Sequence, residues 1–231
     1  VKTYFRKLED FERGDDGIRG EGGPIHVSEC KDESPLYDAW IAAGAEIGVP
    51  YNSDYNGASQ EGMCKTQTTI RNGKRASAAA GYLRPAMKRS NLQVEAEVMV
   101  ERILLEGKRA VGVSYSANGQ RMTAHAGREV ILSAGSIKSP QVLELSGIGQ
   151  AERLRDLGLD VNHDLWGVGE NLRDHIAPRM KWKVTQKGVT YNGKVSGLGL
   201  GWQMLRYAMN RRGFLGLPAA PMLAFMRTRQ E

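Results

Sequence analysis

The chain has 231 residues, of which 41% are hydrophobic and 25% are charged, as in an ordinary globular protein of one domain or about one and a half. Its net charge of +6 does not indicate nucleic-acid binding, because the lysines and arginines are spread along the chain and only 7% of the residues are aromatic. Cys30 and Cys64 have neither a metal-ligand spacing nor the number that a disulfide framework needs. We therefore expect reduced thiols and a cytoplasmic protein.

No segment of the sequence is predicted to span a membrane. The longest uncharged run, residues 213–226, contains two prolines and is too short to cross a bilayer. A half-buried helix or loop is favoured there over a membrane-surface patch. The first residues do not resemble a signal peptide.

The first part of the chain is predicted to contain two helices separated by a loop. Apolar residues at helical spacing indicate a helix over residues 1–13, and Ser34-Pro35 is a favourable start for a second helix that ends near Gly48. The loop between them is rich in Gly, Asp and Glu, with a short edge strand around residues 25–27. Because the helical pattern is already under way at Val1, we expect the chain to be an internal fragment.

The middle of the chain is predicted to be rich in strands. Alternation indicates a strand over residues 66–71, and Asn72-Gly73 is a hairpin signal. Ser77 then favours the start of a helix that runs through Met87. Further strand patterns occupy residues 92–94, 98–105, 110–115 and 121–126, the last two joined by the turn signal Asn118-Gly119.

The most informative pattern begins with three apolar residues, 130–132, which predict a strand buried on both faces. Ala134 and Gly135 follow, and such small residues let a ligand approach the backbone at the carboxyl end of a strand. Ser139-Pro140 indicates a helix start and Gly147 its end. By itself, this local pattern fits equally well a strand–turn–helix corner that binds nothing.

The remaining residues are predicted to be mostly helical. A short helix is indicated over residues 151–157, followed by a glycine-punctuated loop. Alternation around Trp182 and Val184 precedes a glycine-rich link at 197–201 and a helix over about 202–210.

The spacing of small and aliphatic residues over 135–149 resembles the second signature of the glucose-methanol-choline (GMC) family of FAD-dependent oxidoreductases. Every fixed position of that signature is met: Gly135-Ser136, Ser139-Pro140, Val142-Leu143 and Ser146-Gly147-Ile148-Gly149. The middle region is also similar to this family, in Asn56-Gly57, Gln60-Glu61-Gly62, Gln67-Thr68, Gly73-Lys74-Arg75-Ala76-Ser77, Tyr82-Leu83-Arg84-Pro85 and Val100-Glu101-Arg102-Ile103.

The resemblance implies an α/β fold. Residues 1–178 would form the central portion of a GMC-type FAD-binding domain, with cap-like loops near residues 1–60. Residues 179–231 would begin a mixed α+β substrate-binding domain.

The resemblance also implies that the full-length protein oxidises an alcohol to an aldehyde or ketone by transferring a hydride to FAD. Electrons would pass on to O₂ or another acceptor, and the sequence is closest in character to choline-dehydrogenase-like members. Two alternatives stay open at this point: a hydroxynitrile lyase-like activity on the same scaffold, and a non-catalytic remnant. The oligomeric state is not indicated.

Three residues are expected to contact the cofactor. By resemblance, Val100 meets the adenine of FAD through its backbone groups, and Ala134 and Gly135 lie where the backbone must come close to the flavin nucleotide. No metal ligands are expected. The glycine turn for the pyrophosphate is missing from this sequence, and the catalytic His with its second His or Asn is expected beyond Glu231.

Overall fold

The computed structural model describes residues 1–211 and 213–229. Its contacts divide the chain into two compact units, one made of Val1–Leu92 with Lys181–Glu231 and the other of Gln93–Met180. Both units mix helices with strands, so the prediction of an α/β fold is confirmed.

The first unit begins with a short helix that passes directly into a strand. The predicted helix over residues 1–13 is therefore too long, because its second half pairs in a sheet and buries Phe11 at 4% exposure. Ser34 caps the next helix as expected, its hydroxyl accepting the Leu36 N–H at 3.3 Å with Pro35 in the first turn. The elements in this part are α1 (Lys2–Leu8), β1 (Glu9–Phe11), β2 (Ile25–Glu29), α2 (Pro35–Glu46), β3 (Gly62–Lys65), β4 (Gln67–Thr68), β5 (Ile70–Arg71), β6 (Lys74–Arg75) and α3 (Arg84–Ala86).

Short strands form the sheets of this unit. β1 lies parallel to β2, which pairs antiparallel with β4. β5 and β6 form the hairpin that Asn72-Gly73 predicts, with both turn residues at positive φ. The helix predicted from Ser77 to Met87 is a π-helical turn, Ala79–Leu83, followed by α3.

The second unit is built on a three-stranded antiparallel sheet of β7 (Met99–Glu106), β8 (Arg109–Ala117) and β9 (Gln120–His125), in that order. The hairpin predicted around Asn118-Gly119 is confirmed. Residues 92–94, also predicted as a strand, have no regular structure. The sheet is followed by α4 (Gly135–Leu145), β10 (Ile148–Gly149), α5 (Ala151–Asp156) and β11 (His163–Asp164), with β10 parallel to β11.

The strand predicted over residues 130–132 is wrong. These residues form no strand, and Ile131 is 79% exposed. Three consecutive apolar residues suit a strand only when neighbouring strands pair with it on both sides. No strand in the described parts of the chain lies alongside this segment, so its backbone has no ladder to join.

The helix after it begins earlier than predicted. α4 starts at Gly135, which leaves Pro140 inside the helix, where the ring removes one backbone hydrogen bond. Ser139 does not cap the helix from outside. Its hydroxyl instead accepts the N–H of Ala134 at 3.1 Å. The end of the helix is as expected, because Gly147 adopts a φ of 77°.

One buried hydroxyl joins the end of α4 to β7. Ser146, 3% exposed, donates to the carbonyl of Val142 at 2.5 Å and accepts the N–H of Ile103 at 2.8 Å. The N–H of Ile103 would otherwise have no partner at the edge of β7.

The final described segment returns to the first unit. α6 (Gly197–Asn210) includes the glycine-rich link as its first turn and so is longer than predicted. β12 (Met222–Phe225) pairs antiparallel with β3. None of the helices within residues 1–211 and 213–229 has the length and hydropathy that crossing a bilayer requires.

Candidate functional site

The three predicted contact residues all lie in the second unit, on two elements that touch each other. Val100 is on β7, while Ala134 and Gly135 are at the beginning of α4. The Ser146 hydroxyl connects these elements directly.

Val100 lies on an edge strand. Among residues 1–211 and 213–229, β8 is the only strand that pairs with β7. The N–H of Ile103 points away from β8, because it donates to Ser146. Along an antiparallel ladder, opposed residue pairs alternate. In one pair the backbone N–H and C=O groups point toward the partner strand, and in the next pair they point away from it. The backbone groups of the Ile103–Val113 pair thus point outward, away from the partner strand. Those of the next pair, Arg102–Ser114, point inward, toward the partner strand.

A β-bulge then decides the orientation of Val100. The register jumps from Arg102–Ser114 to Val100–Tyr115, so that Glu101 is an extra residue. The Val100–Tyr115 pair therefore faces outward again, with the N–H and C=O of Val100 at the open edge of β7. Without the extra residue, regular alternation would have turned both groups toward β8. Glu101 is held by Arg121 at 2.7 Å and by the Ser114 hydroxyl at 3.3 Å.

Gly135 lies in open space at the start of α4. Its φ of 86° is a conformation that side chains disfavour, and a Cβ built there would meet nothing within 4 Å. Both Ala134 and Gly135 are exposed. This geometry leaves the backbone of Gly135 accessible to a ligand, whereas the N–H of Ala134 is already occupied by Ser139.

Sequence reasoning missed a buried arginine in the first unit. Arg19 is 2% exposed and contacts Glu9 at 2.5 Å, Asp54 at 2.6 Å and the amide oxygen of Gln67 at 3.0 Å. Its guanidinium also lies over the ring of Phe11, 3.7 Å from the centroid. A buried cation of this kind is stable only when its partners are all in place. No local signal marks it, because its partners come from three distant segments.

The same cluster explains part of the family-like motif around residue 56. Asn56 donates to Gln67 at 2.9 Å, and Gln67 donates to Asp54 at 2.7 Å. These motif residues therefore hydrogen-bond to one another and to Arg19, and they hold the loop after α2 against β4.

His26 on β2 is paired with Asp10 on β1. Its Nδ1 lies 2.9 Å from the Asp10 carboxylate, which also accepts Arg71 and the N–H of Gly22. The hydrogen bond with His26 holds the pKa of the Asp10 carboxyl below its usual value, and the Gly22 and Arg71 contacts add to this against the effect of burial.

The two cysteines are free and buried. Burial raises the pKa of both the Cys30 and the Cys64 thiol, which makes them poor nucleophiles. In the described parts of the chain, no group of three or more His, Cys, Asp and Glu side chains could hold a metal ion.

A cavity of about 690 Å³ opens beside the end of β2 in the first unit. His26, Asp32 and Arg206 are among the residues that line it. Asp32 accepts hydrogen bonds from the hydroxyls of Tyr37 and Tyr191. Burial, with the Asp32 contact, raises the pKa of Tyr37, so this phenol stays protonated. The cavity contains none of the three predicted cofactor contacts.

Comparison with known proteins identifies the family. The sequence model described as GMC oxidoreductase matches residues 1–177, well over half of the chain. The chain belongs to the GMC oxidoreductase family. The match includes all three residues that were predicted to contact the cofactor.

Two curated GMC relatives are named as choline dehydrogenases. The mitochondrial choline dehydrogenase of Homo sapiens is 51% identical over 173 residues, which cover 75% of this chain and 29% of that protein. The oxygen-dependent choline dehydrogenase of Photobacterium profundum is 40% identical over 228 residues, 98% of this chain and 40% of that protein. The chain thus spans well under half the length of these relatives.

Solved GMC structures have the same fold. An FAD-dependent oxidoreductase from Chaetomium thermophilum matches with a TM-score of 0.82 and 26% identity, covering 94% of this chain and 40% of that one. Pyridoxine 4-oxidase from Mesorbium loti is 33% identical with a TM-score of 0.66, covering 71% of this chain and 32% of that one.

Proposed function

We propose that the whole protein is an FAD-dependent oxidoreductase that converts an alcohol into an aldehyde or ketone. The observation that carries this proposal is the GMC match over residues 1–177, together with relatives that are named as choline dehydrogenases. Neither the described residues nor the comparisons support the hydroxynitrile lyase alternative.

The residues of the second unit fit FAD. A purine edge needs one donor and one acceptor side by side, and the outward N–H and C=O of Val100 supply this pair. The open space at Gly135 allows the flavin nucleotide to approach the backbone closely. Val100 would hold the adenine, and Ala134 and Gly135 would line the path of the nucleotide. When bound, FAD supplies the acceptor for the hydride of the alcohol.

The residues that complete the reaction are expected outside this chain. An alcohol must lose its O–H proton to a base, and the His with its second His or Asn is expected beyond Glu231. The glycine turn for the pyrophosphate is expected ahead of Val1. We assign residues 1–178 to the FAD-binding domain and 179–231 to the start of the substrate domain. Arg212, Gln230 and Glu231 of the second assignment lie outside the described residues.

The proposed substrate is a small alcohol, with choline as the first candidate because the relatives are named for it. O₂ is the first acceptor to test, since one relative is named oxygen-dependent. We further propose a reducing compartment, the cytoplasm, because Cys30 and Cys64 are both free thiols.

The test is alcohol-driven bleaching of the flavin. The whole protein is purified with its bound flavin, freed of oxygen and mixed with choline or with simple primary and secondary alcohols. We expect the oxidised flavin spectrum to bleach with at least one alcohol and to return when O₂ or an artificial acceptor is added. A flavin that dithionite reduces but no alcohol bleaches would contradict the proposal. A whole protein that retains no flavin would indicate a non-catalytic remnant.

A further inference from the structure

The guanidinium of Arg19 binds three side chains inside the first unit. Its Nε and Nη2 donate to the two carboxylate oxygens of Glu9, at 3.1 and 2.5 Å. Its Nη1 donates to Asp54 at 2.6 Å and to Gln67 at 3.0 Å. Arg19 is already 2% exposed, and segments that the whole protein adds can only bury it further. The contacts of Arg19 therefore do not depend on which surfaces of the chain are covered.

A buried network of this kind holds its members in one arrangement. Moving a partner away would leave a buried charge unpaired, which costs far more than the loss of an exposed ion pair. The ring of Phe11 lies against the guanidinium, 3.7 Å from the ring centroid. Because its polar members bind one another, the network makes its surroundings rigid. Asp54 and Gln67 are thus fixed relative to Arg19.

One route leads from these partners to β12 through an aromatic contact. Tyr55 follows Asp54 directly in the chain, and its hydroxyl accepts the N–H of Gln67 at 2.9 Å. The ring of Tyr55 lies 5.3 Å, between centroids, from the ring of Phe225. Phe225 is the last residue of β12. A shift of Asp54 or Gln67 would therefore move the ring on which the end of β12 packs.

A second route leads to the beginning of β12 through Thr66, the residue before Gln67. The N–H of Thr66 donates to the carbonyl of Pro221 at 2.9 Å, and its hydroxyl donates to the carbonyl of Ala220 at 2.5 Å. These two residues immediately precede β12, which pairs along its length with β3. Both ends of β12 are therefore held by residues adjacent to partners of Arg19.

We propose that Arg19 is a positioning residue for the substrate-binding part of the protein. β12 belongs to residues 179–231, which we assign to the start of the substrate domain, so this inference rests on the proposed function. Arg19 acts through Asp54 and Gln67. These two side chains fix the neighbouring residues 55 and 66, which in turn set the place of β12.

The first measurement is amide hydrogen exchange in the whole protein, which needs no substrate. Arg19→Lys keeps the positive charge, but an ammonium cannot form the fork that binds Glu9 and Asp54 together. We expect the amides of Met222–Phe225 to exchange at least about tenfold faster in this variant, because β12 opens locally more often. The matched control is Arg71→Lys, which changes a half-exposed arginine that pairs with Asp10 in the same unit. Exchange at β12 should be unchanged in the control.

The second measurement is steady-state kinetics with an alcohol that bleaches the flavin of the wild-type protein. Arg19→Lys should raise KM about tenfold and leave kcat within about twofold, the pattern of a loss of binding that is equal in the ground state and the transition state. Flavin content should stay as in the wild-type protein. A loss of kcat and flavin together, with KM unchanged, would mean that Arg19 only stabilises the fold.

Tyr55→Phe tests the aromatic route and is the milder change. It removes the hydroxyl that accepts the Gln67 N–H and keeps the ring beside Phe225. Exchange at β12 and KM should each rise about threefold, as expected for one hydrogen bond. In the double variant with Arg19→Lys, KM should be no higher than in Arg19→Lys alone, because both changes act on the same contacts.

Three results would overturn the proposal: exchange at β12 that Arg19→Lys leaves unchanged, a KM that it leaves unchanged, or additive effects on KM in the double variant. If Arg19→Lys yields no folded protein, Tyr55→Phe decides, and unchanged exchange and KM in that variant overturn the proposal. A wild-type flavin that no alcohol bleaches is a failure of the proposed function instead. Exchange at β12 then still decides whether Arg19 holds that strand in place.

Discussion

Gly135 has a strained backbone conformation and open space beside it, and mutations can separate the effects of these two properties. Its φ of 86° makes any side chain unfavourable there, and the open space beside it is where we expect the nucleotide to approach. A substitution therefore tests the proposed contact only if the cost of backbone strain is measured separately. Gly158 offers this comparison, because it lies in the same unit with a φ of 72° and also has nothing within 4 Å of a built Cβ.

Gly135→Val and Gly158→Val should each lower the stability of the protein by about 1–2 kcal/mol through the strained backbone. Only Gly135→Val should also lose flavin, because its side chain occupies the proposed approach of the nucleotide. The measurement is the ratio of flavin to protein after gel filtration, together with the thermal midpoint. Equal flavin contents in the two variants would mean that Gly135 does not lie near the cofactor.

The bulge in β7 is the element-scale feature on which the proposed adenine contact depends. Glu101 is the extra residue that turns the backbone groups of Val100 to the open edge of the strand. Removing it would restore regular alternation and turn those groups toward β8. The side chain of Glu101 is a separate matter, since it pairs with Arg121 on β9.

Deletion of Glu101 should weaken FAD binding by at least about tenfold, which corresponds to the loss of roughly one or two hydrogen bonds. Glu101→Gln keeps the bulge but weakens the ion pair with Arg121, so it should bind FAD like the wild-type protein. Affinity is measured by titrating FAD into the protein after its flavin has been removed. If Glu101→Gln loses as much affinity as the deletion, the side chain is what matters and the role of the bulge is refuted.

Elements with a local signal were predicted well, and those that depend on distant partners were not. Ser34-Pro35 and Asn118-Gly119 specify a helix start and a hairpin within a few residues, and the structure has both. Residues 130–132 need neighbouring strands, and the cluster around Arg19 needs three remote segments. For the site, the resemblance proposes Val100, Ala134 and Gly135 as cofactor contacts, and these stay predictions. The bulge that orients Val100 depends on a register with β8 that no local pattern encodes.

At the scale of the whole molecule, the chain is a GMC protein with much of its apolar surface uncovered. Ile131 is 79% exposed, Ile176 96% and Leu198 96%. The chain spans only 29% to 40% of the length of these curated relatives. It also lacks the glycine turn that would receive the pyrophosphate.

The isolated 231-residue chain should therefore bind FAD poorly. We expect it to lose added FAD on a desalting column, while the whole protein retains its flavin through the same step. Circular dichroism of the isolated chain is the control for folding. A folded isolated chain that leaves the column with stoichiometric flavin would show that the pyrophosphate turn is dispensable.

The Ser146 hydroxyl has a consequence for how a dinucleotide would be bound. It links the end of α4 to β7 through hydrogen bonds to Val142 and Ile103, both complete without any ligand. The adenine contact that we propose on β7 and the nucleotide contact that we propose at the start of α4 would therefore be held at a fixed separation in advance. The protein does not need to order these two elements when the cofactor arrives, and that entropic cost has already been met during folding.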